Sequence, residues 1–194
     1  ASPLRDVYKR QSLRSGQPAR GGVRMTLGRM EIEVMITIDR ILRESGVLSI
    51  PKPNWLADYP FVHLSKANQL LGTWDALTKY RSKNYAAYGK QSGQESWQAH
   101  HIFEDRELDY LDVREKFPPK AQCLCVLIPQ PAHVRINSIF AQHTRRHVDI
   151  DGILRGYRFA HSILGDYTGA KQGLVEKELD QIIRTAFRCA GLAA

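Results

Sequence analysis

Six of the seven histidines, all but His63, fall between residues 100 and 161. Two of them, His100 and His101, are adjacent in the stretch SWQAHHIFEDRE. On a strand, adjacent side chains project to opposite faces, so packing one face tends to expose the other. That is a poor use of two imidazoles as core packing, but as a site it lets one ring hold a metal while its neighbour faces substrate. Downstream, His133 and Asn137 are four residues apart. On a helix that spacing puts them on one face, one turn apart. A strand ending in His100 or His101, set against such a helix, gives a His/His/Asn cluster. Imidazole and amide oxygen suit Zn, Ni, Mn or Mg, with water completing the shell.

The elements that must position these residues can be read from apolar periodicity. Residues 97–103 predict a short strand, and CLCVLI, at 123–128, a second and buried one. Pro129 and Pro131 follow, and Pro131 suits the first turn of a helix running from about 132 to 146. Asp149 or Asp151 caps a further helix through Leu164. A last helix, about 171–190, buries Leu174, Val175, Leu179, Ile182, Ile183, Ala186 and Phe187. Upstream, the stripe Met30, Val34, Ile38, Ile41 and Leu42 predicts a helix that stops at Gly46, although the β-branched run IEVMITI leaves a strand in competition. Ser65 is expected to cap a helix reaching about Tyr88, with Leu70, Leu71, Trp74 and Leu77 on its apolar face. Residues 12–24, rich in Gly, Ser and Arg, read as a linker.

Charge narrows the partner. Lys and Arg number 28 against 20 Asp and Glu, a net charge of +8, and the pI is near 9.5. An anionic partner is expected, nucleic acid first and a membrane surface second. No apolar run approaches the roughly 20 residues that span a bilayer, and the first residues lack the apolar core of a signal peptide. Three cysteines make no disulfide framework. Cys123 and Cys125 share one strand face and read as small buried hydrophobes, since no second pair completes a zinc knuckle. The segment DVYKRQ, Asp6 to Gln11, resembles a translated transposon mosaic-end adapter from sequencing libraries. That resemblance implies that residues 1 to about 11 are a scar and that the natural chain is cut short at its N-terminus.

The motif AHHI, followed by an apolar strand, a proline break and HVRIN, resembles the ββα-metal (HNH) nucleases. The similarity is nearest to the AHH-type double-histidine domains at the C-termini of bacterial polymorphic toxins, and it covers roughly Trp97 to His147. It implies an α+β fold, mostly helical with a small two-stranded ββα-metal core. It divides the chain into a scar and linker (1–24), a helical part (25–92) and a nuclease core with C-terminal helices (93–194). The implied activity is metal-dependent hydrolysis of phosphodiester bonds, DNA before RNA, by a toxin or effector acting in the target-cell cytoplasm. Such a domain implies a larger exported toxin and an immunity protein, with no membrane partner.

Carried over residue by residue, the resemblance makes His100 a metal ligand, His101 the general base, and His133 and Asn137 the second and third ligands. Arg145 and Arg146 would hold flanking phosphates. By the helical step, however, Arg145 flanks the face of His133 and Asn137, while Arg135 and Arg146 lie on the opposite side. The chain departs from the pattern where a middle Asn should orient the base: PPKAQCLC offers only Gln122. A second register makes Asn137 that middle Asn, with His147 and Asp151 as the metal pair. Arg155 and His161 resemble the Arg-x5-His motif of HEPN ribonucleases, which are all-helical and use no metal. The class-different alternative is a basic module that binds nucleic acid without cutting it.

Overall fold

A computed structural model describes residues 38–89, 96–143, 149–168, 170 and 173–192. The fold is α+β: among the described residues, a four-stranded antiparallel sheet carries seven helices besides a helical stretch at 38–44. The strands are β1 (Val62–Leu64), β2 (Leu70–Thr73), β3 (Trp97–His101) and β4 (Leu124–Pro129), in the order β1-β2-β4-β3. The helices are α1 (Trp74–Lys83), α2 (Tyr85–Tyr88), α3 (Asp105–Tyr110), α4 (Gln130–His143), α5 (Ile150–His161), α6 (Leu164–Thr168) and α7 (Leu174–Cys189). Residues 38–44 are helical, and this turn of helix stops where Gly46 turns left-handed at φ 68°; Met30 and Val34 lie outside the described residues.

β4 is buried along its whole length because it is central and covered on both faces. Such a strand reads as a continuous apolar run rather than an alternating one. Leu124, Val126 and Ile128 face a core built with α4, α5 and α7. Cys125 and Leu127 face a smaller cluster with Leu77 and Tyr80 of α1. Each large side chain buried in this way contributes about 1.5–3 kcal/mol. Both thiols are buried, and burial pushes Cys123 up to about 11 and Cys125 well above its usual range, so neither is a ready nucleophile.

The segment 65–73 corrects the sequence expectation. Ser65 does not cap a helix; its hydroxyl accepts from the Gln69 backbone N–H inside the turn between β1 and β2. Leu70 and Leu71 belong to β2, which pairs with β4 through Leu71 and Val126. A Cβ at Gly72 would lie 2.5 Å from the Phe61 carbonyl oxygen, so close strand packing requires glycine there. The helix begins only at Trp74, capped by the Thr73 hydroxyl on the Ala76 N–H. The sheet therefore has four strands where two were expected: β2 comes from the stretch read as helical, and β1 lies just before it.

Other expectations meet the structure closely. Asp149 caps α5, its carboxylate accepting from Gly152 N–H at 2.6 Å. α7 buries Val175, Leu179, Ile182, Ile183, Ala186 and Phe187. It also reaches across the fold: the Glu178 carboxylate accepts from Ala67 N–H at 2.7 Å, closing the turn between β1 and β2. Among the described residues no helix is long and apolar enough to cross a membrane.

Candidate functional site

β3 pairs antiparallel with β4, His100 opposite Val126 and His101 opposite Cys125, and α4 starts where β4 ends. Gln130 N–H donates to the Ser96 carbonyl, and the Ser96 hydroxyl donates to the Gln130 side-chain oxygen at 2.7 Å. These bonds fix the start of α4 to the start of β3, so the helix runs back along the strand. Ala132, Ile136, Ile139 and Phe140 then pack inward, which leaves His133 half-buried and Asn137 exposed on the flank.

A cleft of about 1100 Å³ opens along this junction. His100, His101, His133 and Asn137 all line it, so it gathers the predicted ligands and the predicted base. β3 is an edge strand, which lets both of its faces reach the same cleft. His100 is 1% exposed, with its ring centroid 5.3 Å from that of His133. Burial, then the neighbouring His161, His133 and His101, hold its pKa well below the ordinary imidazole range. Burial likewise lowers His133. These rings are neutral at pH 7, the form that binds a metal.

His101 lies on the other strand face, and its Nε2 is 3.0 Å from the Lys120 carbonyl oxygen. A carbonyl only accepts, so this bond assigns the proton to Nε2 and the lone pair to Nδ1. Burial lowers its pKa, opposed by the bond to Lys120. Gln122, expected to orient the base, sits in the one-turn helix Lys120–Gln122 and does not line the cleft. The main-chain carbonyl two residues earlier takes that position.

Charged groups complete the walls. Arg106, Lys120 and Arg81 line the cleft together with Glu104 and Asp105. Asp105 is paired with Arg114 at 3.1 Å, and Arg81 donates to the Trp97 carbonyl. Lys120 makes no ion pair among the described residues. Burial raises the Glu104 carboxyl above its usual range.

Arg145, Arg146 and His147 lie outside the described residues. Asp151 is an exposed residue of the first turn of α5 and does not line the cleft. Asn137 lies within α4 rather than ahead of a strand, where the second register would need it. Arg155 is exposed and His161 buried on α5, turned about 120° apart by the helical step. The four-stranded sheet also departs from an all-helical HEPN fold. His161, weighed in the sequence only through that motif, stands instead against His100. Their Nε2 atoms are 3.3 Å apart, and burial lowers the His161 pKa to about 3. Its position on the apolar face, four residues after buried Tyr157, is the one local signal that marked it as inward-facing.

The donors suit a divalent ion in type, since two neutral imidazoles and an amide line one cleft. Among the described residues, no three His, Cys, Asp or Glu side chains stand ready to hold a metal by themselves. A shell built on His100 and His133 would need Asn137 or water as its further donors. Comparison with protein-family models, curated proteins and solved structures finds no match.

Proposed function

We propose that the protein is a metal-dependent endonuclease that hydrolyses phosphodiester bonds, DNA before RNA, as a bacterial toxin or effector domain. The observation that carries this reading is the state of His101. Its Nε2–H is committed to the Lys120 carbonyl, so Nδ1 is free to take a proton from water in a cleft that also holds His100, His133 and Asn137. His100, His133 and Asn137 are the ligand set for Zn, Ni, Mg or Mn. The bound ion would stabilise charge on the phosphate and on the leaving oxygen. His101 stays neutral at pH 7, ready to accept the proton. Lys120 and Arg106 offer cationic groups to phosphates flanking the scissile bond. The toxin role carries with it an immunity protein and action in the cytoplasm of a target cell.

Supercoiled plasmid incubated with the purified chain and Mg²⁺, Mn²⁺, Ni²⁺ or Zn²⁺ tests the reading. Nicking that EDTA stops and that His101→Ala abolishes is the expected result. The exposure of Asn137 favours a second reading, a basic module that binds nucleic acid without cutting it. Retarded but intact plasmid under every metal would select that module. Cleavage of RNA in EDTA would return the metal-independent ribonuclease.

A further inference from the structure

We propose that His161 is a metal ligand, closing with His100 a two-imidazole chelate at the floor of the cleft. The proposal rests on reading the cleft as a metal centre, and it changes which side chains build that centre. His100 lines the cleft and His161 lies directly behind it, both 1% exposed.

The facing atoms are Nε2 of both rings, 3.3 Å apart, with the rings steeply crossed at 78°. As a hydrogen bond this is long, since the commonest N–H donor distances are about 2.9–3.0 Å. Two nitrogens of a tetrahedral shell with bonds of about 2.0–2.1 Å lie about 3.3–3.4 Å apart. The observed separation thus matches the edge of such a shell.

The polar accounting points the same way. Two neutral rings facing through Nε2 share a single proton, and Nδ1 of His161, buried with no partner among the described residues, adds no second hydrogen bond to hold the ring. One long hydrogen bond is a poor return for burying two imidazoles, whereas a metal bond at each Nε2 replaces the lost hydration directly. The ring is also held in place: it stacks on Tyr157 at 6.0 Å and meets the Phe140 ring edge-on at 5.8 Å. A ligand locked by packing binds at little further cost in freedom. His133, in ring contact with His100 on the cleft side, takes a third position by a turn of its side chain, and water takes the rest. Exposed Asn137 is then left to the substrate rather than to the metal.

Metal binding read without nucleic acid tests this. Co²⁺ titrated into EDTA-cleared protein should bind with visible d–d absorption, and His161→Phe should weaken the affinity by at least about 100-fold, more than losses of supporting partners cost. Asn137→Ala should change it less than about threefold. Affinity lost in Asn137→Ala and kept in His161→Phe would overturn the proposal, as would no Co²⁺ binding by the wild-type chain. Should His161→Phe not fold, Zn²⁺ titrated into ¹⁵N-histidine-labelled wild type gives the answer. The Nε2 resonances of His100 and His161 must both move to metal-bound positions, and an unmoved His161 refutes it. A chain that binds Co²⁺ through His161 and cuts no plasmid would keep this inference and discard the nuclease.

Discussion

His100 and His101 are consecutive on one edge strand, yet the sheet gives them opposite surroundings. His100 enters the face packed by α4, α5 and α7, where it meets His133 and His161 in the driest part of the cleft. His101 enters the face shared with α1 and is partly exposed, held by a main-chain carbonyl. Burial lowers the pKa of both, far more for His100. The contrast separates two tasks that one environment serves badly. A dry imidazole keeps its lone pair for a cation, while a wetted one can pass protons to solvent.

The largest effect expected from breaking this contrast is chemical. His101→Ala should lower plasmid cleavage by about 10²–10⁴-fold, the usual worth of a positioned base, and leave Co²⁺ affinity within about threefold. His100→Ala should abolish both. Parallel cleavage and metal titrations decide it, and equal loss of metal in the two variants would erase the division of roles.

Next come the packing faces themselves. Phe140→Ala on the dry face should cost about 3–5 kcal/mol and should also weaken Co²⁺ binding, because the ring that steadies His161 is gone. Leu77→Ala on the other face should cost about 2–5 kcal/mol with metal affinity unchanged. Urea unfolding paired with Co²⁺ titration reads both. A metal loss that merely follows stability in either variant would remove the distinction between the faces.

A smaller effect lies at the far end of the dry face, at Glu178. Burial raises this carboxyl above 4.5 although it accepts hydrogen bonds from Ala67 and its neighbours. The folded state therefore holds the proton more tightly than the unfolded chain, and this contribution to stability is lost as pH rises from about 4.5 through the raised value. Glu178→Gln should remove that pH dependence, and Glu178→Leu should cost about 1–3 kcal/mol by leaving Ala67 N–H without an acceptor. Denaturation at several pH values between 4 and 7 checks both.

The smallest effect concerns Lys120. Lys120→Gln should lower the salt slope of DNA binding by about 0.9, one released counterion, and weaken all sequences alike. An unchanged slope across a salt series would place the duplex elsewhere.

How much of this was legible in the sequence depends on how far each contact reaches. β3, β4, the start of α4 after Pro129 and the Asp149 cap follow from short-range patterns, and so does the gathering of His100, His101, His133 and Asn137. Strand and helix periods alone assign their faces. Residues 70–73 misled because Leu70, Leu71, Trp74 and Leu77 are spaced as on a helix. What overrode that spacing was pairing with β4, some fifty residues onward, and the contact of Gly72 with Phe61. His161 meets His100 only through packing of α5, across 61 residues. The partner of His101 was hidden for another reason. A main-chain carbonyl carries no residue-type signature, so Gln122 drew the role that Lys120 fills.

The bond from Glu178 to Ala67 has a bearing on when the fold can be completed. Chains emerge from the ribosome N-terminus first, and the strands, His100, His101 and α4 precede α5 and α7 in that order. The turn at Ala67 waits 111 residues for its acceptor, and α5, which carries His161, gains its cover from α7 over the same interval. A nascent chain that has released residues up to about 143 thus displays the double histidine without the wall behind it. Completion of the fold is thereby ordered after the strands in translation, since the acceptor for Ala67 exists only once residue 178 has been added.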